Sequence, residues 1–407
     1  MAEVISPGNP GEVGEAIAWA IGGERKLEVR AGGTKRSLGR PVAADVVLDV
    51  SRLSRLQAYE PEELVLTAEA ATPLGAVEAA LAEHGQQLAF EPPDLGSLYG
   101  LPEGGATLGG VMACNLSGPR RVKAFAARDH FLGVKAVNGR GEVFKAGGRV
   151  VKNVTGYDLC KLLAGSHGTL AVMTEITIKV TPAPEKTRTV LIFGLSDGEA
   201  IEALARAMHS SHEVSGAAHL PASLAARSRV AYLSGANAAV TALRVEGFGP
   251  SVLARCGALR EAFNGTGPLE ELHGQNSALL WREIRDLAYF ADEPERAVWR
   301  LCVPPAEAAV LVARLPEKLG ARPYYDWAGG LIWLSVEGAE DAGEPGVRGA
   351  LGKAGGHALL VRAPETVRRS VPVFQPQDDA LAALTARTKQ SFDPCHVLNP
   401  GRMYNGV

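Results

Sequence analysis

The residues best suited to chemistry in this sequence lie in two glycine-rich segments, and the shorter one follows a predicted strand at 27–31. Its sequence is Arg30-Ala31-Gly32-Gly33-Thr34. Adjacent glycines let the backbone turn several N–H groups toward one anionic oxygen, and the Thr34 hydroxyl adds a further donor. The segment is therefore a candidate phosphate-binding loop. A tight turn between two strands would explain the same residues, so this segment alone does not decide the matter.

The second segment is longer and contains seven glycines among the 23 residues from 96 to 118. A glycine costs about 0.5–1 kcal/mol relative to alanine in regular structure, so this density predicts a backbone that lies against a large ligand. Apolar residues within the segment oppose the alternative, which is a disordered surface loop. The candidate ligand-binding residues here are Gly105, Thr107, Gly109, Gly110, Asn115, Ser117 and Gly118.

Neither segment matches the glycine motifs of the commonest nucleotide-binding folds. The sequence has no Gly-x-Gly-x-x-Gly that opens a long helix, and neither segment contains Gly-Lys-Ser or Gly-Lys-Thr. We therefore expect the two loops to share one polyphosphate ligand.

Composition limits the class of protein. The 407 residues are 46% hydrophobic and 21% charged, with a net charge of −3. These values predict two or three globular domains and exclude both a disordered chain and a protein whose whole surface binds nucleic acid. Five cysteines without Cys-x-x-Cys spacing predict a reducing, cytoplasmic setting and no iron–sulfur or zinc site. No apolar run approaches the roughly 18 residues that a membrane-spanning helix needs.

The elements that position the two segments fall into four parts. Residues 1–55 predict a small α/β unit with a helix at 12–21 and strands at 27–31 and 46–50. Residues 56–182 predict a second unit with a helix at 74–83 and a hairpin at 132–145. Residues 183–370 alternate between predicted strands (189–193, 230–233, 298–303 and 331–336) and predicted helices (200–208, 279–287 and 306–319), which is typical of an α+β cap. The remaining residues, 371–407, begin with a predicted helix at 377–390.

Two more motifs complete an ordered set: Gly165-Ser166-His167-Gly168-Thr169-Leu170, and Phe392-Asp393-Pro394 followed by Leu398-Asn399-Pro400-Gly401-Arg402. With these, the chain resembles the vanillyl-alcohol-oxidase, or PCMH, type of FAD-binding flavoprotein from about residue 27 to 404. Within that family, Glu91-Pro92-Pro93 and the stretches 117–121, 151–154 and 156–159 resemble the smaller flavoprotein subunits of bacterial glycolate oxidases.

The resemblance implies an α+β fold. A two-lobed PCMH-type FAD-binding domain would span 1–182, with lobes of about 1–55 and 56–182. An α+β cap domain would span 183–370, and the segment 371–407 would return to the FAD domain. The FAD pyrophosphate would lie against 30–34 and 105–118, and the resemblance adds Pro93, Val172 and Thr174 to the candidate cofactor-binding residues.

We expect the FAD to be bound without a covalent link. Covalent attachment needs a histidine, tyrosine or cysteine at the flavin ring, and residues 30–38 contain none. Cys114 and His130 are the formal alternatives. Cys114 fits better as a small apolar residue.

The catalytic residues are not identified by the sequence. Metal-dependent relatives in this broad family carry a His-x-Gly-Asp-Gly-Asn run, whereas the comparable stretch 355–362 keeps one histidine, His357, in a predicted apolar strand. We therefore expect no metal site and predict His357 to be packed in the cap. Lys152, Tyr157, His357 and Arg362 remain the candidates for substrate contact.

Two functions stay open. The first is an FAD-binding subunit of a glycolate oxidase (glycolate dehydrogenase) complex that oxidises glycolate to glyoxylate, acting in electron relay or assembly beside a companion FAD subunit and an iron–sulfur subunit. The second is a self-sufficient FAD-dependent D-2-hydroxy acid dehydrogenase. We expect a cytoplasmic protein, with any membrane association made through partners at the inner face. The basic run 119–152 holds nine Lys/Arg against two acids. It is interpreted as a solvated face or, alternatively, as a surface that attracts a carboxylate or docks an acidic partner.

Overall fold

The computed structural model describes residues 3–150, 156–338, 340–352 and 355–407. The strands are β1 Glu3–Ile5, β2 Leu27–Arg30, β3 Val46–Asp49, β4 Leu56–Glu60, β5 Val65–Glu69, β6 Gln86–Gln87, β7 Phe131–Asn138, β8 Val143–Gly147, β9 Ala171–Lys179, β10 Thr181–Pro182, β11 Lys186–Phe193, β12 Gly216–Leu220, β13 Val240–Gly247, β14 Leu269–His273, β15 Ala297–Cys302, β16 Arg322–Asp326, β17 Leu331–Val336 and β18 His357–Arg362.

The helices are α1 Pro10–Gly22, α2 Leu74–Ala82, α3 Leu108–Cys114, α4 Arg121–Ala124, α5 Leu159–Leu163, α6 Asp197–Met208, α7 Ala222–Ala225, α8 Ala231–Ser234, α9 Gly249–Ala262, α10 Gly274–Arg285, α11 Ala308–Ala313, α12 Glu344–Leu351, α13 Glu365–Ser370 and α14 Asp379–Phe392. Short 3-10 helices lie at Pro61–Glu63, Ser97–Tyr99, Ala127–His130, Ala288–Phe290, Pro305–Glu307, Glu317–Leu319 and Trp327–Gly329. None of the helices in the described ranges is long and apolar enough to cross a membrane.

The first sheet is parallel, with strand order β1-β3-β2, and it is covered by α1. Helix α1 starts where the Asn9 side chain accepts the N–H of Glu12 at 3.0 Å, and Pro10 occupies the first turn. Val13 and Ile17 are spaced four residues apart, so both reach the core beneath the sheet. The chain leaves β2 at Arg30 and enters the first candidate loop.

The second sheet is antiparallel, with order β4-β5-β9-β7-β8. It contains the predicted hairpin as β7 and β8, around the turn at 139–142. The long glycine-rich segment is less irregular than its composition predicts, because residues 108–114 form helix α3. Leu108, Val111 and Met112 have helical spacing and are fully buried, and this burial outweighs the low helix propensity of Gly109 and Gly110.

The cap is one eight-stranded sheet with order β14-β11-β13-β12-β16-β17-β15-β18. Helices α6, α9, α11 and α12 cover one face. The other face packs on α10 and on Leu95 and Leu98 from the preceding domain.

Two cap predictions are wrong in detail. Residues 230–233 were predicted as a strand, but they hold helix α8, because a short apolar run does not by itself distinguish the two structures. The predicted helix at 306–319 is limited to α11, since Pro316 cannot continue it.

The C-terminal segment joins the two lobes of the first domain. Leu398 pairs with Leu27, at the start of β2. The side-chain oxygen Oδ1 of Asn399 accepts the N–H of Val29 at 2.9 Å, while its side-chain nitrogen Nδ2 donates to the His167 carbonyl at 2.9 Å. One side chain thereby connects β2 to the turn before β9. The boundaries at 55, 182 and 370 stay predictions.

Candidate functional site

A cavity of about 130 Å³, partly open to solvent, lies between the loop after β2, the start of α3, the turn before β9 and the C-terminal segment. The predicted residues that line it are Arg30, Ala31, Gly32, Gly33, Thr34, Thr107, Gly109, Gly110 and Val172. The structure therefore brings the two glycine-rich segments to one cavity.

The other predicted site residues do not line this cavity and make contacts within the protein. The side-chain oxygen Oδ1 of Asn115 accepts the main-chain N–H of Arg128 at 3.0 Å, and the Ser117 hydroxyl accepts the main-chain N–H of Ala127 at 2.9 Å. The Thr174 hydroxyl donates to the Lys135 carbonyl at 3.1 Å. Contact of Pro93, Gly105, Asn115, Ser117, Gly118 and Thr174 with a cofactor stays a prediction.

Two glycines of the site, Gly32 and Gly110, are required for different reasons. A Cβ on Gly32 would lie 2.1 Å from the Gly105 carbonyl oxygen, so this glycine is required by close packing of the two segments. A Cβ on Gly110 would enter the cavity wall, 3.2 Å from the Thr107 hydroxyl and 3.7 Å from the Lys35 ammonium. Gly110 therefore keeps a small space open beside a buried cation.

The electrostatics of the cavity favour an anion. Lys35 is buried, and its ammonium donates to the Thr34 hydroxyl at 3.1 Å. Arg402 donates to the Lys35 carbonyl at 2.5 Å, and in the described part of the chain its buried Nε has no hydrogen-bond partner. Burial lowers the pKa of both side chains. The one acidic residue in the wall, Glu28, is paired with Arg36 at 2.8 Å.

Two titratable groups of the wall are held neutral. Burial raises the pKa of the Cys114 thiol, so the thiol form is favoured over the nucleophilic thiolate. Burial, with the charge of Arg402, lowers the pKa of His167 to about 3. The His167 ring lies 3.6 Å from the Cys114 sulfur, measured from Nδ1. His130 lies outside this wall, where its Nε2 contacts the Ala124 carbonyl at 2.7 Å.

The predicted set of cofactor-binding residues omits five residues that line the cavity: Lys35, Cys114, His167, Asn399 and Arg402. Each is adjacent to or within a motif that carried the family resemblance. The signal was present, but only the tertiary fold shows that these side chains converge.

The substrate-contact candidates lie elsewhere. Arg362 is buried, and its guanidinium donates to main-chain carbonyls, including those of Leu98 and Phe290. It is a structural link and not an available carboxylate receptor. His357 is exposed at the start of β18, so the prediction that it is packed in the cap is wrong. Tyr157 is 93% exposed. Lys152 and the 151–154 motif lie outside the described residues.

Within the described ranges, no group of three or more His, Cys, Asp or Glu side chains is arranged to hold a metal ion.

Comparison with known proteins assigns the chain to a family. Residues 1–147 match the FAD binding domain family. The chain is 33% identical to the glycolate oxidase subunit GlcE of Escherichia coli over 392 residues, which cover 96% of each chain. It is 30% identical to the glycolate oxidase subunit GlcD of Bacillus subtilis over 46% of this chain and 38% of that protein.

A solved structure of p-cresol methylhydroxylase superposes on 98% of this chain and 88% of its own, with a TM-score of 0.70 and 14% identity. This likeness confirms the predicted α+β, PCMH-type fold. The E. coli similarity runs through both the FAD-binding domain and the cap, so the chain belongs to the GlcE family of FAD-binding glycolate oxidase subunits.

Proposed function

We propose that this chain is the FAD-binding subunit of a glycolate oxidase (glycolate dehydrogenase) complex that oxidises glycolate to glyoxylate. The observation that carries the proposal is the cation-lined cavity in which both glycine-rich segments meet. Membership of the GlcE family supports it, because the E. coli relative is a glycolate oxidase subunit.

The cavity residues fit FAD on two counts. The buried Nε of Arg402, which has no hydrogen-bond partner among the described residues, and the buried ammonium of Lys35 offer donors to the pyrophosphate oxygens. The missing side chain of Gly110 leaves room for the cofactor against the backbone. When bound, FAD supplies the acceptor for the hydride removed from the alcohol carbon. The residues that line the cavity would hold the cofactor.

The first expected outcome concerns the bond to the cofactor. Acid precipitation of the yellow protein should release FAD into the supernatant at close to one per chain, because the Cys114 thiol in the cavity wall is not activated. The measurement is the flavin absorbance of the supernatant and of the redissolved pellet. Flavin that stays in the pellet would contradict non-covalent binding. A colourless protein that added FAD does not stabilise would contradict the cofactor itself.

We propose a companion FAD subunit and an iron–sulfur subunit as partners, in a cytoplasmic complex whose contact with the inner face of the membrane is made through those partners. The existence of separate GlcE and GlcD subunits among the relatives supports a complex of several chains. Fewer positive charges of the basic run 119–152 are available to dock a partner than its composition predicts, because some of them are paired with acidic residues. Lys123 pairs with Glu213 at 3.2 Å and Lys135 with Glu175 at 2.8 Å.

A self-sufficient D-2-hydroxy acid dehydrogenase is the second candidate. The exposed position of His357, at the start of β18, favours it, because an accessible imidazole is the commonest general base. Rapid mixing of the isolated holoprotein with glycolate separates the two candidates. Only a self-sufficient enzyme would reduce its flavin without partners.

A further inference from the structure

Two arginines from different domains lie against one tryptophan, outside the cavity described above. The Arg121 guanidinium, on α4, lies 4.4 Å from the centre of the Trp327 ring. The Arg300 guanidinium, on β15, lies 5.1 Å from the same centre. The indole N–H donates to the Gly118 carbonyl at 3.0 Å, so this cluster joins the end of the long glycine-rich segment to the cap sheet.

The two positive charges are not neutralised within the described ranges. Arg121, Arg300 and Trp327 are all half-buried, and neither guanidinium has a hydrogen bond or ion pair with a described carboxylate. The charge of Asp129 raises the pKa of Arg121, but this carboxylate already forms an ion pair with Arg128, at 3.9 Å.

Several other half-buried arginines do have a carboxylate partner. Arg120 pairs with Glu246 at 2.8 Å, and Arg285 pairs with Asp286 at 2.7 Å. The charge of Arg300 lowers the pKa of Arg121, so the two positive charges repel each other, and an anion bound between them would relieve this repulsion.

The charges of both arginines also act on the thiol of a neighbouring cysteine, Cys302. Cys302 lies two residues along β15 from Arg300, on the same face of the strand. Burial alone would raise the pKa of its thiol. The charge of Arg300, the hydrogen bond with His357 and the charge of Arg121 outweigh burial and lower that pKa below its usual value. The two arginines therefore favour the thiolate form of Cys302.

The tryptophan is held in place at an energetic cost. Trp327 and Ala328 both have left-handed backbone angles, with φ of +51° and +56°. Such angles are unfavourable for residues with a side chain and concentrate at binding sites. The buried Asp326 carboxylate fixes the turn by accepting the N–H of Trp327 at 2.7 Å. The turn places the indole face against both arginines.

We infer that Arg121 and Arg300, stacked on Trp327, form a receptor for a small carboxylate anion at the boundary between the FAD-binding domain and the cap. Arginine is suited to this role, since its planar fork matches the two oxygens of a carboxylate while its face stacks on an aromatic ring. The inference deepens the proposed function, on which it rests: the ligand would be the carboxylate of the 2-hydroxy acid.

The test is calorimetric titration of the holoprotein with glycolate, with acetate and oxalate, which have no alcohol to oxidise, and with inorganic phosphate. We expect the carboxylates to bind more tightly than phosphate. Arg121→Gln and Arg300→Gln should each weaken carboxylate binding by about 10- to 100-fold, the loss of one charge-assisted contact. The matched control is Arg128→Gln, an exposed arginine close to Arg121 in the chain, which should leave the affinity unchanged.

A second readout uses the rate at which iodoacetamide alkylates Cys302, followed by peptide mass spectrometry. Bound carboxylate should slow the reaction several-fold, and Arg300→Gln should slow it without ligand because the thiolate is less favoured. If Arg300→Gln does not fold, the Arg121→Gln titration and the protection of wild-type Cys302 decide the question. The inference would be overturned if Arg121→Gln, Arg300→Gln and Arg128→Gln all bound carboxylate with the same affinity. It would also be overturned if the wild-type protein bound phosphate more tightly than the carboxylates.

FAD content measured on the same samples separates this inference from the proposed function. Full FAD occupancy without carboxylate binding would contradict the receptor alone. Loss of FAD binding by the wild-type chain would contradict the proposed function.

Discussion

Gly110→Val is expected to abolish FAD retention while the cap stays folded. The first atom of the new side chain would lie 3.2 Å from the Thr107 hydroxyl and 3.7 Å from the Lys35 ammonium, and the two added methyl groups would extend into the space between them. The effect is steric, because Gly110 is not among the glycines with positive φ. Overpacking of this kind costs about 1–3 kcal/mol, and it is imposed here on the bound state.

We expect the FAD dissociation constant to rise by about 5- to 150-fold, so that gel filtration of the dilute protein removes its flavin. The matched control is Gly75→Val, which places the same side chain on exposed α2 where a Cβ has no neighbour within 4 Å. It should lose some helix stability but keep its flavin. Equal FAD affinity in Gly110→Val and the wild type would show that the cavity is not the cofactor site.

The second large effect concerns stability. Asp393→Asn should destabilise the folded chain by about 3–5 kcal/mol, because it leaves the Lys389 ammonium buried without its counter-charge. Both side chains are fully buried, and their charged atoms are 2.7 Å apart. Asp393 also accepts the N–H groups of Val397 and Leu398 at 2.9 and 2.8 Å. These hydrogen bonds fix the backbone that leads to Asn399 and Arg402.

Urea unfolding is the measurement, with Asp379→Asn as the control. Asp379 is exposed in the first turn of the same helix, α14, so its substitution should change stability by no more than about 0.5 kcal/mol. Because the segment carries Arg402 to the cavity, Asp393→Asn should also weaken FAD binding. A change in unfolding free energy below about 1 kcal/mol would contradict the role of this ion pair.

The local patterns of the sequence predict a good part of this architecture. The turn Asn138-Gly139-Arg140-Gly141 predicts the β7–β8 hairpin, since such residues adopt the required turn angles. The predicted strand at 27–31 follows from a short β-rich run and is observed as β2. The family resemblance then brings the two glycine-rich segments to one ligand, and both line the cavity.

What the sequence does not predict depends on contacts between distant residues. Arg402 and Lys35 are hydrogen-bonded although 367 positions separate them, so no local pattern marks them as a pair. Arg121 and Arg300 meet on Trp327 only because the cap packs against the segment that follows Gly118. Helix α3 was missed for another reason: propensity argues against a helix rich in glycine, while burial of its apolar face favours one.

We propose that this chain holds FAD for a glycolate-oxidising complex and does not complete the reaction alone. Proton removal from a 2-hydroxy acid needs a positioned base, which contributes about 10²–10⁴-fold in rate. His357 is exposed, and its hydrogen-bond partner is the Cys302 thiol rather than a carboxylate that would orient the ring. Holding a carboxylate without a base raises occupancy and not turnover.

Stopped-flow mixing of the isolated holoprotein with millimolar glycolate, and separately with D-lactate, tests this claim most directly through the visible absorbance of the flavin. We predict no loss of absorbance within seconds, although dithionite still reduces the same sample, and a rapid loss once the companion FAD subunit and the iron–sulfur subunit are added. Loss of the flavin absorbance within seconds, with no partner present, would contradict the claim and identify the chain as a complete dehydrogenase.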